Sequence, residues 1–263
     1  MKDRLKISMD GHVAQVMLDR AEKFNALDLA MFNALGEAAD SLARESKVRA
    51  VVLHGAGEHF CAGIDIGMLS DPDAKIDATM MAPLAPSAAN LFQRAAYAWR
   101  ELPMPVICAL QGTVFGGGLQ IAAGADLRYT APDARFSIME TKWGLIPDMA
   151  ISTTLRNIVR ADRLKELAWT ARIFGAAEAE EIGVVTAVND DPLAAATRIA
   201  QECAARSPDA VRGIKRLVNE AWHLSEAESL ALEAKLQLGI MGSRNQAEAV
   251  RANFEKRPPE FTD

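Results

Sequence analysis

Residues 106–123 read VICALQGTVFGGGLQIAA: an apolar run, Val106–Leu110, then glycine at 112, 116, 117 and 118, then a second apolar run. Five apolar residues between Pro105 and Gln111 suit a strand buried on both faces of a parallel sheet. Gly117 to Ala123 predicts a helix, so the glycines sit where strand becomes helix. Two readings of them stand side by side. They let main chain approach a ligand at a helix amino terminus, where free N–H groups and the dipole favour negative charge. Or they let the helix pack closely on the strand. A phosphate loop is excluded, because no Gly-Lys-Ser/Thr follows, and the GxGxxG dinucleotide fingerprint is absent.

Upstream, Arg49–Leu53 (RAVVL) predicts another buried strand, and a glycine-punctuated loop, His54–Gly67, follows it. That loop holds His59-Phe60-Cys61-Ala62-Gly63-Ile64-Asp65-Ile66. Leu5, Ile7 and Met9, the Asp10-Gly11 turn and Val13–Leu18 read as a hairpin. A helix is expected from about Leu27, with Asp28 near its start and Leu35, Ala38, Ala39 and Leu42 on its apolar face. Residues 71–86 have no clear period and three prolines, and are read as a mobile connection that flaps over a site.

Downstream, Asn90–Leu102 predicts a helix ended by Pro103 and Pro105, and Asp126–Tyr129 and Arg135–Ile138 predict strands. From Ala161 the pattern turns helical, broken by one strand near Val184–Val188. Leu193–Arg206, Ala210–Trp222, Ala227–Ile240 and Gln246–Phe254 read as amphipathic helices. The expected organisation is an α/β core over residues 1–200 with a helical region over 201–263. That region is apolar on more faces than a terminal helix pair needs, which a subunit interface or ordinary domain packing would explain.

Composition narrows the function classes. The chain has 263 residues, 50 % of them hydrophobic, and 29 basic against 35 acidic residues give a net charge of −6. That excludes a disordered chain and leaves no reason to grip a nucleic-acid backbone. No apolar run reaches the ~18 residues of a membrane span, and MKDRLKISMDG has no apolar signal core, so a cytoplasmic protein is expected. Cys61, Cys108 and Cys203 are too few and too scattered for a disulfide framework or zinc site, and no metal site is expected.

FCAGIDI (60–66), GTVFGGGLQIAAGADLRY (112–129) and FSIMETKWGLIPD (136–148) resemble successive signatures of the crotonase, or enoyl-CoA hydratase/isomerase, superfamily. Lys23-Phe24-Asn25-Ala26-Leu27 is similar to its K-x-N-A-L segment, and residues 254–259 (FEKRPP) to its carboxyl end. The resemblance implies a spiral of ββα units with a helical C-terminal trimerisation region, a homotrimer or dimer of trimers. It implies an acyl-CoA thioester as substrate and no tightly bound cofactor, with coenzyme A entering only as part of the substrate. A thioester α-proton leaves at neutral pH only if the enolate oxygen is stabilised, and two main-chain amides aimed at it do this without reorganisation. By match to the family's motifs the donors are Ile64 and Gly117. Ala62, Ile64, Asp65, Ile66 and Gly67 then run beside the pantetheine arm. Gly67 stands where many relatives have lysine, which leaves Lys23 and Lys256 as candidates for the CoA phosphates.

The acids divide the family's branches. Hydratases similar to its best-known members carry two glutamates; the matching positions here are Gln120 and Glu140. Gln120 exchanges no proton at neutral pH, but it can hold a water molecule or the substrate by hydrogen bonds. Asp148, eight residues after Glu140, matches instead the glutamate–aspartate spacing of dienoyl-CoA isomerases, and less well the nucleophile of a chlorobenzoyl-CoA dehalogenase. The first expectation is therefore double-bond isomerisation, the second enoyl-CoA hydration, and the third a non-catalytic CoA-binding paralogue. Plainer roles exist for both acids: Glu140 at a helix start, and Asp148 as the N-cap of a helix over Ile151–Val159. Cys61 is expected to be a small buried apolar residue, and His12, His54, His59 and His223 have no metal-ligand spacing.

Overall fold

The computed structural model describes residues 4–70 and 77–263. The hairpin forms as the alternation predicts: β1 (Leu5–Asp10) and β2 (Val13–Leu18) pair antiparallel around Gly11, whose φ of +57° suits the turn. β2 pairs parallel with β3 (Ala50–Gly55), and β3 with β4 (Val106–Leu110). Two further parallel strands, β6 (Leu127–Thr130) and β9 (Ala187–Val188), complete a sheet of order β1-β2-β3-β4-β6-β9. A second sheet holds β5 (Thr113–Phe115), β7 (Arg135–Ser137) and β8 (Phe174–Gly175).

Each face of the larger sheet is covered. On one side lie α1 (Leu29–Arg44), the short α2 (Ile66–Ser70), α3 (Leu91–Glu101) and α4 (Gly117–Gly124). Leu35, Trp99 and Leu119 from these helices join Val51, Leu53 and Leu110 in the main core. α1 and α3 start at the expected caps, Asp28 accepting from Met31 N and Asn90 from Gln93 N. After α5 (Ile151–Thr154), α6 (Ala161–Thr170) and α7 (Ala176–Glu181), α8 (Pro192–Ala204) covers the opposite face. Its Ala196, Ala200 and Ala204 meet Val13, Val52 and Ile107, so residue 200 lies inside a helix that belongs to the sheet's packing.

α9 (Pro208–Ala221), α10 (Glu226–Ile240) and α11 (Arg244–Glu255) form the helical carboxyl region. Lys215 ties α9 to the core: its Nζ lies 2.7 Å from Asp126 and donates to the carbonyls of Trp99 and Met104. The chain then returns to β3, where buried Arg49 donates to Asp263 Oδ1 at 2.7 Å and to the carbonyl of Phe261.

One local expectation changes, and two stretches go beyond the sequence. The strand expected over Val184–Val188 shrinks to Ala187–Val188, because Gly183 is at φ +81° and the Val184 carbonyl accepts from buried Arg128. β5 and β8 carry no alternation long enough to announce them; Gly112 and Gly116, both at positive φ, bracket β5. Of the connection over 71–86, residues 71–76 lie outside the described residues, and the rest contains turns such as the one in which Asp77 accepts from Thr79 and Met80 amides. Among the described residues no helix is long and apolar enough to cross a membrane.

Candidate active site

The 60–65 segment is threaded between two neighbours. On one side Phe60 N donates to Gln111 O, Cys61 N to Thr113 O, and Phe115 N to Cys61 O. On the other, Ala62 N donates to Phe24 O, Leu27 N to Gly63 O, and Asp65 N to Leu27 O. Asn25 holds the loop in place from below. It is fully buried at φ +53°, a conformation asparagine tolerates, and its Nδ2 donates to the carbonyls of Ala56 and His59. Its Oδ1 accepts from Arg20 N.

Within this laced backbone the amides of Ile64 and Gly117 donate to no acceptor among the described residues. Gly117 opens α4, so its N–H has no intrahelical partner. The two bends touch: a Cβ on Gly63 would lie 3.5 Å from Gly117 N and 2.8 Å from Phe115 O. Gly63 is at φ +89°, so glycine is required there on two counts. Gly117 needs to be glycine because a Cβ would meet Leu27 and Met149, and Gly118 because Cys61 packs against it. The sequence left ligand cradle and close packing as rival accounts of these glycines; the approaches to Leu27, Phe115 and Cys61 show the close packing.

Glu140 arrives from the second sheet. β5 pairs parallel with β7, which sets Phe115 beside Ser137, and Gly116 N donates to Ser137 O. Three residues later Glu140 opens a 3-10 turn (Glu140–Trp143), and its Oε1 would lie 3.4 Å from a Cβ on Gly116. Gln120, one turn into α4, donates from Nε2 to that Oε1 at 2.6 Å and accepts Met149 N on its Oε1 at 2.8 Å. Oε2 of Glu140 is buried without a hydrogen-bond partner. Burial raises the Glu140 carboxyl above its ordinary pKa and the nearby Asp148 charge adds to this, while the bond from Gln120 and the local backbone act against it.

Asp148 does not cap α5. The N-cap is Ala150 at φ +69°, without a side-chain bond, and the helix is one turn long where residues to 159 were expected. The Asp148 carboxyl is raised by burial, although the residue as a whole is exposed in the single chain. The plainer role for Glu140 holds in part, since it does begin a turn, but its Oε1 is given to Gln120.

The segment matched to CoA binding runs from half-buried to exposed. Ala62 and Ile64 are half-buried, and Ile66 and Gly67 are exposed at the start of α2. Asp65 is committed within the protein: its carboxylate pairs with Arg20 at 2.7 Å and accepts Gly67 N, both holding its pKa down. Exposed Lys23 acts electrostatically on Asp65 and so stands near this segment. Lys256 ends α11, outside these contacts. Cys61 is buried, with its thiol pushed up to about 12 by desolvation, which suits packing and not nucleophilic attack. His59 accepts Thr113 N on Nδ1 and so braces the same loop. Sequence reasoning had no signal for Asn25 as a brace, for Arg20 on Asp65, or for the bond from Gln120 to Glu140.

The model of the enoyl-CoA hydratase/isomerase family matches residues 8–263. A peroxisomal Δ(3,5)-Δ(2,4)-dienoyl-CoA isomerase of Arabidopsis thaliana is 31 % identical over 264 residues, covering 98 % of this chain and 95 % of that one. An enoyl-CoA hydratase of Mycobacterium tuberculosis is 30 % identical over 253 residues, covering 95 % and 93 %. The crystal structure of an enoyl-CoA hydratase from Bacillus anthracis superposes with a TM-score of 0.88 at 28 % identity, covering 98 % of each chain. A helical carboxyl region behind a mixed α/β core is thus shared along the full length, and the chain is an enzyme of the enoyl-CoA hydratase/isomerase family, within the crotonase superfamily.

Proposed function

We propose that this enzyme isomerises a double bond in an unsaturated acyl-CoA, taking a conjugating proton shift along the chain as its reaction. The thioester oxygen accepts from Ile64 N and Gly117 N, two amides that donate to no acceptor among the described residues. Glu140 removes the proton from C2 and the C–H electron pair passes into the carbonyl, giving an enolate held by those amides and by the amino-terminal dipole of α4. Asp148 returns a proton further along the acyl chain, at C6 for a 3,5-diene, and the double bonds move to positions 2 and 4. Ala62, Ile64, Asp65, Ile66, Gly67 and Lys23 line the path of the pantetheine arm, and coenzyme A takes part only as a piece of the substrate.

The observation that carries this reading is the state of Gln120. The position that would supply a second acid for adding water is occupied by an amide bonded at both ends, to Glu140 and to Met149 N. The remaining acid acting on Glu140 is Asp148. Enoyl-CoA hydration is the second reading, favoured by the hydratases among the similar proteins and by a half-buried Glu140 whose carboxyl is raised by burial. Ultraviolet absorbance separates the cases. With a 3,5-dienoyl-CoA, growth of a conjugated-diene band supports isomerisation. With a 2-enoyl-CoA, loss of the enoyl band supports hydration. No change with either leaves a non-catalytic CoA-binding protein.

A trimer, or a dimer of trimers, belongs to the same proposal. Trp222, Leu230, Leu238, Met241 and Phe254 in the carboxyl region are all more than 60 % exposed in the single chain, more apolar surface than a lone subunit would leave open. Sedimentation equilibrium tests it, and a monomer at micromolar concentration would refute it.

A further inference from the structure

The two oxygens of Glu140 differ in what they touch, and the difference originates in Gln120. Met149 N is a main-chain donor and can only donate, so the atom of Gln120 that faces it at 2.8 Å must be Oε1. The amide is planar, so Nε2 is then fixed toward Glu140, where it meets Oε1 at 2.6 Å. An –NH2 group offers no lone pair to an acid, so a proton on Oε1 would have two donors facing each other. Oε2 is buried and has no partner. Rotation of Gln120 cannot exchange these roles without stranding Met149 N.

We propose that Gln120 is a positioning residue that makes the two carboxylate oxygens of Glu140 unequal, tying Oε1 and favouring the ionised form that takes the proton. This rests on the isomerase reading only for the identity of the substrate; the inequality holds for any proton removed from C2. In the step itself the C2–H bond breaks, its electron pair moves into the thioester, and the proton bonds to the Glu140 carboxylate; the reverse transfer restores the carboxylate. Gln120 also fixes the residue next to Asp148, so one side chain sets both acids of the site.

The surroundings of Glu140 leave few other influences. From its own turn come the main-chain amides of Glu140 and Met139, which favour the carboxylate as Gln120 from α4 does, and from the loop before α5 comes Asp148, which opposes it. Asp65 on the 60–67 segment is turned to Arg20. α6 meets the 3-10 turn through a bond from Thr141 Oγ1 to the Ala168 carbonyl.

The test is a titration of Glu140 by carbon NMR on protein labelled at glutamate Cδ, its signal assigned by loss in Glu140→Gln. Gln120→Met removes the donor at similar volume, and the midpoint is expected to rise by about one to two pH units, the worth of a hydrogen bond to a charged group. Gln120→Glu keeps an acceptor for Met149 N and places a second carboxyl on Oε1; two coupled steps are expected, the upper one above the wild-type midpoint. If Gln120→Met does not fold, this second variant carries the test. Repeating the titration with Asp148→Asn present should leave the rise intact. An unmoved midpoint overturns the proposal. So does a fall, which is what a mere structural prop would give, since its removal admits water and relieves desolvation. The diene assay on wild-type enzyme is read separately: no isomerisation together with a raised midpoint in Gln120→Met refutes the isomerase reading and leaves the role of Gln120 standing.

Discussion

Met149 closes on Gly117: a methyl group built on that glycine would lie 2.9 Å from Sδ of Met149, with Leu27 Cδ1 at 2.6 Å on the other side. The residue after Asp148 thus packs on the very residue whose amide opens α4. Gly117→Ala should therefore displace the Leu27 and Met149 side chains packed beside that amide and, through them, disturb its aim. A loss of about 10²–10³ in kcat is expected, the usual cost of one oxyanion donor. Turnover measured beside thermal unfolding checks this; full activity in a folded variant would rule the amide out.

Glu140→Gln and Asp148→Asn should fail differently. Glu140→Gln loses C2 proton removal, and uptake of deuterium from heavy water into the C2 position of an acyl-CoA should drop by about 10²–10⁴. Asp148→Asn should retain that uptake while losing formation of the conjugated diene. Mass spectrometry of recovered thioester separates the two, and loss of both activities in Asp148→Asn would contradict the division of roles.

Stability should respond to Glu140 with a definite sign. Its carboxyl pKa is raised in the fold, so folding is favoured while the group is protonated, below its ordinary value. That advantage is lost as pH rises through the folded-state value. Glu140→Gln, which never ionises, should match wild-type melting near pH 4 and exceed it increasingly toward pH 8. Melting curves across that range check it, and a constant difference would mean the carboxyl is not held in a desolvated place.

Asn25→Ala should damage the site from a distance. It strips partners from the carbonyls of Ala56 and His59 and from Arg20 N. Alanine also tolerates φ +53° poorly. A loss of about 1–3 kcal/mol is expected for any of these groups that stays shut off from water. Chemical denaturation measures it, together with a fall in turnover if the Ile64 amide is displaced.

The sheet was legible because each strand carries its own signal. Val13–Leu18, Arg49–Leu53 and Val106–Leu110 are runs whose burial follows from their composition, and Asp28 and Asn90 announce α1 and α3 by capping chemistry. The candidate site was legible only through residues that stand in motifs. Gln120 and Glu140 are 20 residues apart, and they meet because β5 aligns with β7, a three-residue pairing too short to leave a period. The left-handed backbone at Asn25 and Ala150 is equally silent, since neither is glycine. Asp148 looked like an N-cap because a helix follows it; the chain turns at Ala150 first and takes the carboxyl away from the helix axis.

The return of the chain to β3 has a bearing on how the protein is made. Arg49 is 7 % exposed, and its guanidinium finds its acid 214 positions downstream and a carbonyl 212 positions downstream. During synthesis β3 emerges from the ribosome long before either partner exists, and contacts of such separation close slowly. A nascent chain that stops short of Ala204 offers the Arg49 guanidinium none of these partners, so this edge of β3 stays open until segments from far downstream fold back onto it.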